Sequence, residues 1–181
     1  FLRLAALAAT LALPALAGER HPLARDAERT FFTALNTDAA RRDAALVELA
    51  TAHAVDPTDA RTCLLVGLSH LWSAAEAGPR DPKAIEHVVL AEHYLARAQE
   101  LDPSDDRIPS WLVPARVSVA SIERTPERIA AAIASLEEAY AKRPAFHSFT
   151  LAFLAGQAAP GSPRFERGRA APREVLGKPC E

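Results

Sequence analysis

Apolar and polar positions alternate with a helical period along most of the chain, most sharply between Ala91 and Pro103. Ala91, Leu95 and Ala98 fall at spacings of four and three, on one stripe of a helix, and Asp102-Pro103 stops it. Two other segments repeat the register. Ala45, Leu49, Ala52 and Pro57 keep the same spacings of four, three and five, and so do Ala132, Leu136, Ala139 and Pro144. The two alanines let a neighbouring backbone come close while the leucine between them fills the gap. The proline cannot continue a helix and so forces a turn. A hairpin built this way cannot bury its apolar faces alone; it stacks on another.

The intervening segments follow the same period. Leu23 to Asn36 is predicted to form a first helix, with Leu23, Ala27, Phe31 and Leu35 on one side, and a second helix runs to about Ala54. Asp56-Pro57-Thr58-Asp59 is a stop followed by a cap, and the third helix carries Leu64, Leu65, Leu68, Leu71, Trp72 and Ala75. Asp81 caps, and Pro82 opens, the helix that ends at Asp102. Ile108 to Glu123 is the least regular element: Pro109 can start it, and Pro114 within it is expected to kink it. Thr125-Pro126-Glu127 opens a helix with Ile129, Ile133, Leu136 and Tyr140 on its buried face and cations at its end. Phe146 to Ala155 begins a seventh, strongly apolar helix. No covering helix is apparent after it, because Gly156 onward is rich in Pro, Gly and Arg. Residues 157–181 are therefore expected to form an irregular tail, with the seventh helix as a terminal cap.

The succession alanine, large apolar, alanine, proline resembles the second helix of the tetratricopeptide repeat family, and Val66-Gly67 stands where that family has Leu-Gly. The resemblance implies an all-α fold over residues 18–156: a right-handed superhelical array of about three antiparallel helix hairpins, with a C-terminal capping helix. Gly67 would mark the closest crossing within a hairpin. The repeats are elongated, with 46 and 41 residues between successive prolines and 24 from Gly67 to Ala91. An unrelated helical bundle is the competing architecture. In the family, the first helix of each hairpin lines an inner groove that accepts an extended or helical segment of a partner. Carried over by register, the groove residues would be Arg61, Leu68 and Trp72, with Leu64 and Leu71 beside them. The next hairpin would add Val117, Ser121 and Arg124, with Trp111 near the entrance.

Composition changes this picture little. The 181 residues suit one domain, 49% apolar content is ample for a core, and only 7 glycines and no strand-type alternation favour helices. A net charge of −2 offers no electrostatic reason for nucleic-acid binding. Eighteen arginines against three lysines suggest the coding bias of a GC-rich bacterial genome. Residues 1–17 form a separate unit: Arg3, an apolar run from Leu4 to Leu13, and an Ala-x-Ala ending at Ala17. That is the pattern of a secretory signal, so the mature chain is expected to be periplasmic or secreted. The run is shorter than the roughly 20 residues of a bilayer span, and no transmembrane span is expected in the mature chain. Gly18, and not a cysteine, comes immediately after Ala17, so no lipid anchor is expected either.

Little in the sequence speaks of chemistry. It has no Gly-x-Ser-x-Gly elbow, phosphate-binding glycine loop, His-Glu-x-x-His or Cys-x-x-Cys-His, and neither an enzyme nor a cofactor is expected. The six histidines do not recur at metal-ligand spacing; His87 and His93, six apart, face different ways on a helix. Cys63 and Cys180, the only cysteines, are compatible with a disulfide in an oxidising compartment, and equally with a buried thiol at Cys63. The expected function is that of an exported scaffold or adaptor binding a protein or peptide in its groove. The alternative is a periplasmic small-ligand or metal-binding accessory protein of a transport system, using a pocket beside the kinked helix. Oligomerisation through the C-terminal helix is a further expectation.

Overall fold

The computed structural model describes residues 20–35, 39–78 and 81–176, and among these it is helical with no strand. The expected leader, residues 1–17, and Cys180 lie outside them. The helices are α1 (Pro22–Ala34), α2 (Ala39–Val55), α3 (Ala60–Ala77), α4 (Pro82–Leu101), α5 (Pro109–Ile122), α6 (Pro126–Lys142), α7 (Pro144–Ala155) and α8 (Pro163–Leu176). None of them is long and apolar enough to cross a membrane. The chain forms two compact units, and Pro57, the proline that closes the first alanine register, begins the second.

In the first unit α1 packs on α2. The buried stripe of α1 is Ala24, Ala27, Phe31 and Ala34, not the predicted one through Leu23 and Leu35. The two stripes share Ala27 and Phe31, so a small rotation chooses between them. The helix turns its small alanines inward and leaves Leu23 exposed. On α2, Ala45, Leu49 and Ala52 are all buried, as their spacing predicts.

The second unit is a succession of pairs. α3 packs on α4, α5 on α6 and α7 on α8, each over a larger interface than those between α4 and α5 or α6 and α7; α5 also touches α7. The alanine stripes are the reason the pairs close. Ala91, Leu95 and Ala98 are completely buried, with Cys63 and Leu64 of α3 and Leu112 and Ala115 of α5 around them. Ala132 and Leu136 of α6 meet Val113 and Val117 of α5, Leu151 and Leu154 of α7, and Ala171 of α8. Gly67 permits the tightest contact of the first pair: a Cβ there would lie 2.6 Å from Leu95 Cγ and 3.2 Å from Leu95 N. Cys63 is buried in this cluster, its Sγ 4.0 Å from the Pro57 carbonyl oxygen.

Local signals start the helices where the sequence places them. Asp59 accepts from Arg61 N at 3.0 Å and from Thr62 Oγ1 at 2.7 Å, and Asp81 accepts from Lys83 N at 2.9 Å ahead of Pro82. Asp59→Ala is expected to cost about 1 kcal/mol in urea unfolding; an unchanged midpoint would show that the α3 cap contributes nothing. Thr125 does not cap through its side chain; its Oγ1 donates instead to the Ala120 carbonyl at 3.3 Å.

α5 runs from Pro109 to Ile122 as one element through Pro114. Pro114 has no N–H to offer the Ser110 carbonyl one turn back, and Thr150 Oγ1 of α7 donates to that carbonyl, at a long 3.4 Å. The supposed irregular tail contains α8. Pro163 occupies its first turn, where a missing N–H costs nothing, and Gly168 lets it approach α7: a Cβ there would fall 1.9 Å from Ala155 Cβ. Residues that read as helix breakers are thus a starter and a contact point, and α7 is the first helix of a pair and not a lone cap. Tyr140 of α6 also holds α8. Its hydroxyl donates to Glu174 at 2.7 Å, and the Arg167 guanidinium sits 4.7 Å above its ring while bonding Glu174 at 3.0 Å.

Candidate functional site

The N-terminal half of α3 is buried on every side, from Thr62 to Gly67. Only toward its C-terminal end does one face open, along Leu68, Leu71, Trp72 and Ala75, at spacings of three, one and three. With Trp111 of α5 these four side chains line a hollow of about 240 Å³. Trp72 is 36% and Trp111 40% exposed, high values for residues of this size in an apolar setting. Leu71 and Ala75 also belong to a second hollow of about 520 Å³. Its far wall is Pro114, Ser118 and Ile122 of α5 with Phe153 of α7, and its end is closed by Ala84, Ile85 and Val88 of α4. The two hollows therefore adjoin, and among the described residues no charged side chain lines either one. A volume of this size lies within the range of small-molecule pockets, and its length along three helices also suits a peptide side-chain row.

α7 extends the apolar face. Phe146, Phe149 and Phe153, spaced three and four apart, form its outer stripe, with Phe149 78% exposed. The opposite stripe, His147, Leu151 and Leu154, is buried.

The structure brings together Leu68, Trp72 and Trp111, three of the groove residues read from the sequence. It does not bring the others there. Arg61 lies in the first turn of α3, half-buried, where its charge helps hold the Asp105 carboxyl below its usual range, after the larger effect of the Arg107 hydrogen bond. Val117 is corrected outright: at 5% exposure it is core, packed with Leu136 and Leu151. Ser121 is exposed, but its Oγ donates to the Val117 carbonyl at 2.6 Å. Arg124 takes a left-handed backbone, φ 58°, in the turn after α5. Neither of the last two lines the hollows. The open stripe of α5 is Trp111, Pro114, Ser118 and Ile122, one rotational step from the expected stripe. Each stripe mixes apolar and polar residues, so periodicity alone does not choose between them. Leu64, too, is buried.

Two histidine contacts had no sequence signal, because they join different helices. His70 Nδ1 of α3 lies 2.9 Å from His87 Nδ1 of α4, and the Tyr94 ring stacks on His70 with centroids 5.9 Å apart. Burial, reinforced by the charge of His87, lowers the His70 imidazole to about 4. Ser110 Oγ of α5 lies 2.6 Å from His147 Nδ1 of α7, with both residues sealed from solvent. Burial pushes His147 down as well, against an opposing pull from Asp106. Such a pair has the composition of a nucleophile and its base, but closed off from any substrate it serves to join α5 to α7. Among the described residues no three His, Cys, Asp or Glu side chains converge as a metal site would require.

Comparison of the chain with family models, with curated proteins and with solved structures gave no match.

Proposed function

We propose that this protein is a tetratricopeptide-like scaffold, its paired helices winding as a right-handed superhelical array, which binds an apolar segment of a partner protein or peptide. The segment would lie along the face formed by α3, α5 and α7. The observation that carries the reading is the pair of half-exposed tryptophans, Trp72 and Trp111, across one hollow that no charged side chain among the described residues lines. Leaving two indoles in water is costly for a fold that buries smaller residues completely, and tryptophan is among the side chains most often dominant in binding energy. The buried alanine registers and the alternation of strong and weak helix interfaces support the repeat architecture. Export through residues 1–17 belongs to the same reading. Recovery of a chain beginning at Gly18 from the periplasm or medium would test it; retention of the full sequence inside the cell counts against it.

The test uses peptides selected on the full chain from a random display library. Trp72→Ala and Trp111→Ala are each expected to weaken the selected peptides by at least about tenfold, while Phe32→Ala, in the other unit, leaves binding unchanged. Equal affinity of all three variants would end the groove proposal. The 520 Å³ hollow favours a second reading, a small apolar ligand. Native mass spectrometry showing a stoichiometric small molecule, lost on Ile122→Glu, would support that alternative.

A further inference from the structure

The centroids of the His70 and His87 rings are 5.2 Å apart and their nearest nitrogens 2.9 Å apart, so the rings meet nitrogen to nitrogen along the line of centres. This is the geometry of a direct hydrogen bond. Two lone pairs converging on a shared metal ion would instead bend away from that line. One imidazole carries its proton on Nδ1 and donates; the other accepts with an unprotonated Nδ1. One added proton can be shared in a charge-assisted N–H⁺···N bond. A second puts hydrogen on both facing nitrogens. Donor then meets donor, cation meets cation, and the contact cannot persist.

The position of this contact gives it a consequence. His70 precedes Leu71, Ala74 and Ala75, and His87 lies between Ile85 and Val88, all of which line the larger hollow. Gly78, at the α3–α4 turn with φ 83°, lines it too. The bond thus ties together the two helices that make one end of the hollow, within about two turns of their hinge. We infer that the His70–His87 bond is a proton-operated latch, holding the ends of α3 and α4 together at neutral pH and releasing them in acid to open the hollow.

The groups facing His70 are His87, along the bond, and Tyr94, stacked on it, both from α4, with His93 set edge-on to Tyr94. Among the described residues no carboxylate or guanidinium of α3, α4 or α5 is a cause of its shift; burial and His87 both act against its proton. The sign follows from burial. A histidine near 6.5 when released and near 4 when latched takes up its proton only on opening. The latched state is therefore at full strength above pH 6.5 and weakens as pH falls from 6.5 toward 4. Between those limits opening gains roughly tenfold for each pH unit.

The latch stands without any partner; only its effect on binding rests on the groove reading. Hydrogen exchange on the full chain, corrected for the intrinsic pH dependence, reads it directly. Between pH 6.5 and 4.5, protection in residues 68–77 and 82–90 is expected to fall by roughly a hundredfold, and that in α6 to change far less. In His70→Gln, which keeps a hydrogen-bonding side chain without a titrating ring, the fall should vanish. Should that variant not fold, ring NMR of the unaltered protein decides: the His70 and His87 signals must shift together as protection is lost. Constant protection, an equal fall in His70→Gln, or independent ring titrations would overturn the latch. Failure of the tryptophan variants to affect peptides would overturn the groove and leave the latch untouched.

Discussion

Gly168→Ala is expected to destabilise the protein by about 2 kcal/mol or more, against the ordinary rule for a glycine inside a helix. On intrinsic propensity alone the change should stabilise α8 by roughly 1 kcal/mol. The new Cβ, however, would stand 1.9 Å from Ala155 Cβ, with the Leu151 carbonyl oxygen at 3.2 Å and Ala152 Cα at 3.4 Å. These are backbone and first side-chain atoms, which no rotamer change can move. α8 must shift away from α7, and the Tyr140–Glu174 and Tyr140–Arg167 contacts shift with it. Urea unfolding should show the loss, and trypsin should cut at Arg167, Arg169 or Arg173 earlier than in the parent. An unchanged or raised midpoint would mean that α8 does not dock as described.

The second large effect lies where α3 crosses α4. Leu95→Ala empties a fully buried site and is expected to cost roughly 2–5 kcal/mol. Gly67→Ala should also destabilise, because its Cβ would press on Leu95 Cγ at 2.6 Å and Cδ2 at 3.0 Å. Together the two changes should cost less than their sum by at least about 1 kcal/mol, since the added methyl occupies space the leucine vacates. Compensation stays incomplete because the Leu95 backbone nitrogen, at 3.2 Å, remains close. Strict additivity in a denaturant-unfolding cycle would show that Gly67 and Leu95 do not share the contact.

Both effects concern glycines, yet only one could be read in advance. Gly67 sits in a register with Val66 and faces a stripe, Ala91-Leu95-Ala98, whose small-large-small spacing already implies a close neighbour. Gly168 lies between Pro163 and Pro172 with four arginine or glutamate residues, where apolar periodicity is faint and local composition suggests an irregular chain. Its helix forms because tertiary contacts override propensity: Ala155 accepts the bare backbone, and Tyr140, Arg167 and Glu174 add a polar tie to α6. The candidate site divides the same way. Leu68 and Trp72 could be named from the register of α3, with Trp111 expected near the groove entrance. On α5, the stripe through Val117 and the one through Ser118 differ by a single rotational step. The choice fell to Pro114, whose ring lies in the wall of the hollow while its missing N–H sends the Ser110 carbonyl to Thr150.

What the sequence determined by itself was the helical period, three buried alanine stripes, and the starts set by Asp59 and by Asp81 with Pro82. Each of these depends on residues within a few turns of one another. The tertiary structure alone decided the rotation of each helix about its axis, and with it which apolar stripe stayed open. It also decided that His70 meets His87, that His147 meets Ser110, and that a proline- and arginine-rich tail folds onto α7. Those outcomes turn on the distance between backbones that are far apart in sequence, where one Cβ or one rotational step outweighs any local preference.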